Sequence, residues 1–282
     1  MLDLVNAVNG IIWSPIMIAL CLGAGLYFSI RGRFLQVRHI REMLRLMREG
    51  KSSEQGVSSF QALAMTLAGR VGTGNIAGVA TAITFGGPGA VFWMWAVAFL
   101  GASSAFVEST LGQVYKEQIG NQYRGGPAFY IEKGLGMKRY AWTFAIATLF
   151  ATGLLLPGVQ ANSIAEGLKT AAGIDPLYTG IGLAVVLAAI IFGGVKRIAH
   201  FAEIVVPFMA AAYILVAVVV VAMNIEALPG VLRLIVSSAF GLDAGFGAML
   251  GMAIQWGVKR GIYSNEAGQG TGPHASSAAE VS

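Results

Sequence analysis

Four long stretches of the sequence contain no Asp, Glu, Lys or Arg, and this feature constrains the fold more than any other. A helix needs about 20 apolar residues to cross a bilayer, and each stretch reaches that length. Only 12% of all residues are charged, about half the share found in soluble domains. The sequence therefore predicts an all-α integral membrane protein in contact with lipid. The stretches lie between Asp3 and Arg31, Arg139 and Glu166, Asp175 and Lys196, and Glu203 and Glu226.

Apolar runs and their flanking charges predict a series of membrane spans. The first lacks the basic leading region and the small-residue cleavage site of a secretory signal, so we interpret it as a retained span. The predicted spans are 11–30, 57–85, 90–111, 139–160, 177–195 and 198–223, followed by an amphipathic element over 226–242 and a last span that starts near residue 244.

The basic residues are concentrated in three of the loops between these spans. Of the 19 Lys and Arg, seven lie within 31–51, five within 116–139 and two at 196–197, whereas only Lys169 and Arg233 fall in opposite loops. The positive-inside rule then places the N-terminus outside a cell inner (plasma) membrane. We interpret the basic loops as topological determinants rather than lipid-binding sites. The net charge of +5 follows from them and does not indicate nucleic-acid binding.

Two of the predicted spans are interrupted by glycine-rich sequence, GRVGTGNIAG (69–78) and SNEAGQGTGP (264–273). Each glycine weakens a helix by about 1 kcal/mol relative to alanine, and Pro273 is suited to the first position of a new half-helix. Inside a bilayer, unwound backbone is tolerated only where protein buries it or where it lines a water-filled cavity. We predict that 69–75 and 264–271 leave helical geometry and face each other. Such a pair, running in opposite directions, is typical of a secondary transporter's binding site.

The ends of the half-helices supply charges that suit a zwitterion and a cation. Helix N-termini after Asn75 and at Pro273 each carry roughly half a positive charge, which favours a carboxylate. The carbonyls around 68–71 and 263–265 carry partial negative charge, which favours an ammonium group or Na⁺. The candidate cation-binding residues are Ala68, Val71 and Gly72, and no cofactor is expected beyond the coupling ion.

Other classes of function fit the residues less well. GTGNIA matches a dinucleotide-binding pattern, but no strand precedes it and no acid follows it at about 20 residues. The histidines and Cys21 lack the spacing of a metal site. Glu266 and His274 could act as acid and base in an intramembrane enzyme, but no nucleophile accompanies them, so no catalytic residue is assigned. A passive channel remains an alternative.

Two long motifs resemble the signature stretches of the alanine or glycine:cation symporter family, the sodium:alanine symporters. They are GTGNIAGVATAITFGGPGAVFWMW (72–95) and KRGIYSNEAGQGTGPHA (259–275). The resemblance implies the inverted-repeat fold of five plus five helices shared with the amino acid/polyamine/organocation superfamily, preceded by one extra N-terminal helix. It also implies uptake of alanine, glycine or a similarly small neutral amino acid coupled to Na⁺ or H⁺.

The same resemblance implies a domain layout and a set of binding residues. The extra helix is 11–30, the first repeat is 57–223 with a broken first helix, and 244–282 is the broken first helix of a truncated second repeat. We therefore expect residues 1–282 to form a single, incomplete transporter domain. The implied substrate-binding residues are Thr73, Gly74, Asn75, Gln160, Asn265, Glu266, Ala267 and Gly268.

Three basic residues fall within or beside spans, where a charge costs roughly 2.5 to 3.5 kcal/mol at the helix centre. They are Arg70, Lys259 and Arg260. We expect Arg70 to form an ion pair with Glu108, Glu203 or Glu266. Thr73, Asn75 and Asn265 have an alternative role as interhelical hydrogen-bonding groups without a ligand, at about 0.6 kcal/mol each. The residues leave open alanine, glycine or serine as substrate, Na⁺ or H⁺ as coupling ion, and the oligomeric state.

Overall fold

The computed structural model describes residues 2–48, 56–241 and 247–280. Within them, four helical stretches are long and apolar enough to cross a membrane, as expected of a multi-pass protein. The four stretches are Ala7–Arg31, Gly89–Val114, Lys138–Ala172 and Gly194–Met223.

Helices account for most of the described residues. They are α1 Leu2–Ile12, α2 Pro15–Arg31, α3 Leu35–Arg38, α4 Ile40–Arg48, α5 Ser59–Arg70, α6 Thr73–Gly86, α7 Gly89–Val114, α8 Pro127–Leu135, α9 Lys138–Phe150, α10 Leu156–Ala172, α11 Pro176–Ile191, α12 Gly194–Met223, α13 Leu228–Ala239, α14 Gly247–Asn265 and α15 Gly272–Ser277. A π-helical segment, Ala151–Leu155, joins α9 to α10, and a 3₁₀ turn, Ile225–Ala227, precedes α13.

The long apolar helices expose their side chains instead of burying them. In the most apolar 18-residue window of Lys138–Ala172, none of the residues is buried, and in that of α12 only 6% are. Phe208, for example, is 78% exposed. A soluble protein rarely leaves so large an apolar surface open. These faces are therefore suited to lipid.

The chain divides into two compact units that are interleaved in sequence. The first unit comprises Met1–Arg45, Gly74–Val107 and Ala211–Gln269, and the second comprises Leu46–Thr73, Glu108–Ala210 and Gly270–Ser282. Each interrupted helix passes from one unit to the other at or next to its break. The first unit therefore contains nearly all of α6 together with α14, whereas the second contains α5 and α15.

Small residues allow close helix packing in the first unit. Ile18, Val97, Val258 and Ile262 form one buried apolar cluster from α2, α7 and α14. Nearby, a Cβ placed on Gly257 would lie 2.5 Å from Trp93 Cβ. Without a hydrophobic driving force between helices in lipid, such close approach of backbones is a main source of association.

A buried polar cluster also joins α2 and α7 in the first unit. The hydroxyls of Ser29 and Ser103 lie 2.9 Å apart, and both residues are fully buried. Gln36 donates to Ser29 (3.1 Å) and accepts from Ser103 (2.8 Å). Because these hydroxyl and amide groups find partners among themselves, their burial is not penalised.

In the second unit, α5 is fixed at its N-terminal end. Ser58 and Gln61 form a capping box, in which each side chain bonds the other residue's backbone N–H. The Gln61 side chain also donates to Glu203 of α12 (3.0 Å). Backbone bonds from Val57 to Ala278 and from Glu280 to Val57 attach the segment after α15 to the residue just before this cap.

A short hairpin was absent from the predicted fold. Strands β1 (Glu117–Ile119) and β2 (Gln122–Arg124) pair antiparallel after α7. Lys116, at the base of the hairpin, donates to the carbonyl of Ala279 (2.6 Å). Burial lowers the pKa of Lys116, and the carboxylate of Glu280 partly opposes this. The description all-α therefore holds for the membrane-spanning helices but not for this loop.

Several predicted boundaries differ from the observed ones. The span predicted as 139–160 continues as helix to Ala172, because the helix tolerates Glu166 and Lys169 near its end. The span predicted as 177–195 ends at Ile191 as a 16-residue helix, shorter than a straight crossing needs. The other predicted spans coincide with α2, α5 with α6, α7, α12, α13 and α14 to within a few residues.

Candidate functional site

The first interrupted helix breaks over two residues. Helix α5 ends at Arg70, Val71 is extended with φ −109° and ψ 103°, and α6 begins at Thr73. The predicted break over 69–75 was therefore too wide, because residues 69–70 and 73–75 remain helical. Gly72 lies within the break, and a Cβ placed there would be 3.3 Å from the Gln160 amide nitrogen.

The second break is longer and contains left-handed backbone. Helix α14 ends at Asn265 and α15 begins at Gly272, with Pro273 at its first turn as predicted. Glu266 has φ 54°, a conformation that L-residues other than Asn and Asp rarely adopt. Gly268 (φ 83°) and Gly270 (φ 77°) adopt similar conformations at less steric cost.

In the first unit, residues beside the two breaks are in contact. The Asn75 side-chain amide donates to the Ser264 hydroxyl at 2.8 Å. A Cβ placed on Gly74 would lie 3.1 Å from the Tyr263 ring and 3.3 Å from Ser264 Cα. Asn265 accepts a hydrogen bond from the Ala267 N–H at 2.9 Å, which folds the chain back after α14. Six of the eight predicted substrate-binding residues, Gly74, Asn75 and 265–268, therefore belong to this unit.

The second unit contains the other two, Thr73 and Gln160. The Thr73 N–H donates to the Gln160 side-chain oxygen at 3.4 Å, so α10 contacts the start of α6. Helix α5 and helix α15 also meet here, since a Cβ placed on Gly272 would lie 3.2 Å from Arg70 Nη2. The Glu108 carboxylate accepts from the Gly270 N–H at 3.1 Å, within the second break.

Several buried polar atoms around the breaks have no hydrogen-bond partner among the described residues. In the first unit they are the Asn265 amide nitrogen and the Tyr263 hydroxyl, and in the second the Thr73 hydroxyl and Arg70 Nε. Leaving such a donor buried and unpaired costs about 1 to 3 kcal/mol. Atoms of this kind occur at binding sites, where a ligand can satisfy them.

Within the described part of the second unit, Arg70 forms no ion pair with Glu108 or Glu203, two of its three predicted partners. Glu203 accepts from Gln61, and Glu108 accepts from Gly270. Helix α5 ends at Arg70 itself, so the partial negative charge of the helix C-terminus favours this cation at its position. The predicted pairing of Arg70 with Glu266, which belongs to the first unit, stays a prediction.

The other two embedded cations lie over aromatic rings. Lys259 Nζ is 5.0 Å from the centre of the Trp256 ring and 5.8 Å from that of Trp13. The Arg260 guanidinium is 5.4 Å from the Trp256 ring. Such contacts contribute about 0.5 to 2 kcal/mol each. The sequence indicated that these residues need partners but did not identify aromatic ones.

The candidate cation-binding residues all lie at the C-terminal end of α5. Ala68 belongs to its last turn, and Val71 and Gly72 form the break. The partial charge at a helix C-terminus is negative, so this end suits a cation. Among the described residues, no group of three or more His, Cys, Asp or Glu could hold a metal ion.

Sequence reasoning missed two residues of this region. Ser264 lies inside the second motif but was not singled out, and its role depends on a contact across 189 positions. Glu108 was considered only as a partner of Arg70. Its signal was available, because it is the one acid in the long apolar helix α7, and intramembrane acids are usually functional.

In a multi-pass helical membrane protein, two interrupted helices that contact each other beside their breaks are typical of the class of membrane transporters. Within that class, the chain belongs to the sodium:alanine symporter family, whose sequence profile matches residues 1–282. This assignment places it among transporters and not among enzymes.

Three relatives illustrate the similarity. YrbD of Bacillus subtilis is 64% identical over 282 residues, which cover 100% of this chain and 58% of that protein. The sodium/proton-dependent alanine carrier protein of Bacillus sp. (strain PS3) is 54% identical over 240 residues, covering 85% and 54%. The sodium/alanine symporter AgcS of Methanococcus maripaludis is 45% identical over 287 residues, covering 99% and 63%. The chain thus spans somewhat more than half the length of these relatives.

Proposed function

We propose that the protein is a secondary active symporter that carries a small neutral amino acid, alanine or glycine, inward together with Na⁺ or H⁺. The observation that carries this proposal is the Asn75–Ser264 hydrogen bond, which joins the residues beside the two helix breaks. The names of the relatives, an alanine carrier and a sodium/alanine symporter, support the substrate class.

The substrate carboxylate would bind at the start of α6. This helix has 14 residues, and its N-terminal end carries the partial positive charge that favours a carboxylate. Helix α15 has only six residues, so its N-terminus offers a weaker dipole. We therefore assign the carboxylate to Thr73, Gly74 and Asn75 in preference to the turn before Pro273.

The remaining substrate contacts in the first unit would come from the second break. Asn265 has a buried amide nitrogen without a partner among the described residues, so it can donate to a carboxylate oxygen. The turn over 266–268 would supply acceptors for the substrate ammonium group, and Gln160, in the second unit, stays a predicted substrate-binding residue. The extra methyl group of alanine would change the binding free energy relative to glycine by only about 1 to 3 kcal/mol, so alanine and glycine are both proposed.

The coupling ion would bind at the carbonyl end of α5. Ala68, Val71 and Gly72 are the proposed ligands, because hard cations such as Na⁺ prefer oxygen donors and a broken helix frees carbonyls for them. No other cofactor is proposed. Movement of the two interrupted helices between inward-open and outward-open states would complete the cycle by alternating access.

The test is alanine uptake into proteoliposomes. The reconstituted protein contains this chain and is as long as the relatives. A potential of 100 mV contributes about 2.3 kcal/mol per charge, and a tenfold cation gradient adds about 1.4 kcal/mol. We therefore expect alanine to be concentrated at least tenfold inside under inward gradients of Na⁺ or H⁺. Equal concentrations on both sides under every gradient would instead indicate the passive channel.

A further inference from the structure

The segment that follows the first span is an exposed amphipathic helix. Helix α2 ends at Arg31, and Arg33 (φ 51°) and Phe34 (φ 50°) both adopt left-handed backbone, which turns the chain sharply. Helices α3 and α4 follow at once. The segment therefore begins within a few residues of the point where the span leaves the membrane.

One face of α4 is apolar and open. Ile40, Met43, Leu44 and Met47 fall within about 100° of one another at 100° per residue, and they are between 37% and 57% exposed. Four large apolar side chains on one face of a nine-residue helix need a covering surface.

Arg41 and Arg45 lie along one flank of that face. Arg41 and Arg45 project roughly 40° apart beside the apolar side chains, and both are exposed. Arg48 follows one turn later in the sequence, and Glu42, which pairs with Arg45, is the one acid of the helix. A topological signal requires only that arginines occur in the loop. It does not require that they share one flank of a helix beside an apolar face.

We propose that α4 lies in the membrane interface, with its apolar face among the acyl chains and Arg41 and Arg45 bound to anionic phospholipid headgroups. The charge and the position of α4 indicate that anionic lipid covers its apolar face. The segment is tethered next to the end of a span, and basic amphipathic helices at that level bind anionic lipid. The sequence alone favoured a topological role for this loop over lipid binding, and the proposal departs from that expectation because the two arginines share one flank of α4 beside an apolar face. It does not depend on the transported substrate.

The test measures the depth of a spin label on α4 in phospholipid nanodiscs. Cys21→Ser first removes the chain's single cysteine, after which Leu44→Cys carries the label on the apolar face and Gln118→Cys carries a reference label on the exposed hairpin. In discs that contain phosphatidylglycerol, we expect the label at position 44 to collide more with oxygen than with a water-soluble nickel chelate. The reference label should show the reverse.

The second part of the test removes positive charge from α4. The double variant Arg41→Gln/Arg45→Gln is compared with Lys169→Gln/Arg233→Gln, which removes the same charge from other loops. The measured quantity is the ratio of membrane-bound to water-exposed α4, read from the label at position 44, in phosphatidylglycerol discs relative to phosphatidylcholine discs. At about 1 kcal/mol per arginine, the first variant should lower this lipid preference up to about 30-fold. The control variant should leave the preference unchanged.

Three results would overturn the proposal. The label at position 44 could be as accessible to nickel as the reference label, which would place α4 in water. It could be shielded from both reagents, which would mean that a second copy or another protein covers the apolar face. The control variant could also reduce the lipid preference as much as the α4 variant, which would show a general charge effect.

Discussion

At the scale of single residues, polar groups beside the helix breaks satisfy one another only in part. Asn75 donates to Ser264, but the Asn265 amide nitrogen and the Tyr263 hydroxyl are buried without partners among the described residues. A purely structural contact would favour complete pairing, because an unpaired buried donor costs about 1 to 3 kcal/mol. The partial pairing therefore favours a binding role over the alternative of interhelical hydrogen bonds alone.

A double-mutant cycle separates these two roles. Asn75→Ala and Ser264→Ala should show a coupling in thermal stability of about 0.6 kcal/mol, the average for hydrogen bonds between membrane helices. If Asn75 also contacts substrate, Asn75→Ala should weaken alanine binding at least tenfold, whereas Ser264→Ala should change it less. Equal losses of affinity in the two single variants would favour the structural role.

Space is restricted at Gly74, within the proposed carboxylate site. Gly74→Val adds a branched side chain where even a Cβ would lie 3.1 Å from the Tyr263 ring. We expect alanine affinity to fall at least tenfold, about 1.4 kcal/mol, while the amount of protein in the membrane stays unchanged. Gly180→Val is the matched control, since nothing lies within 4 Å of a Cβ there. Retained binding by Gly74→Val would falsify this placement of the site.

At the scale of elements, α14 packs on α7 through glycines. A Cβ on Gly257 would lie 2.5 Å from Trp93 Cβ and 2.6 Å from the Ala90 carbonyl oxygen. The carbonyl belongs to the α7 backbone and cannot rotate away, so Gly257→Ala should destabilise the protein by about 1 to 3 kcal/mol.

The matched control for this prediction lies in the same helix. A Cβ on Gly251 would meet nothing within 4 Å, so Gly251→Ala should be neutral or slightly stabilising. At roughly 2 to 4 °C per kcal/mol, melting in detergent should separate the two variants by several degrees. Similar melting temperatures would mean that α14 does not depend on this close contact.

The elements also show which parts of the fold the sequence could predict. Charge-free runs located three of the four helical stretches long enough to cross a membrane, Ala7–Arg31, Lys138–Ala172 and Gly194–Met223, because a charge near the centre of a span is costly. Glycine and proline located both breaks, because these residues act on the local backbone. The hairpin over 117–124 was missed, since three-residue strands in a polar loop leave too short a pattern. The extension of α10 to Ala172 was missed because charges at the end of a span resemble a loop.

Pairings between elements were less predictable than the elements themselves. The contact of Asn75 with Ser264 and that of Glu108 with Gly270 each join residues more than 160 positions apart. No local pattern encodes such a pairing. The same reason explains why Glu203 was predicted as a partner of Arg70, since a search for acids in the sequence could not show that Gln61 donates to it.

At the scale of the whole molecule, the distribution of basic residues predicts which loops face the cytoplasm. Seven, five and two of the 19 Lys and Arg lie in three loops that alternate with loops containing Lys169 or Arg233. The hairpin is in the second of the basic loops, and Lys169 lies near the end of α10. An odd number of crossings separates the two sites, so they must face opposite sides of the membrane if Lys138–Ala172 spans it once.

This arrangement leads to a test of orientation in intact cells. With Cys21→Ser as background, Gln118→Cys and Lys169→Cys each introduce one thiol at an exposed position. The positive-inside rule predicts that a membrane-impermeant maleimide labels position 169 from outside and reaches position 118 only after the cells are opened. Labelling at 118 alone in intact cells would reverse the orientation and place the N-terminus inside. Labelling at both positions would mean that the helix from Lys138 to Ala172 does not cross the membrane.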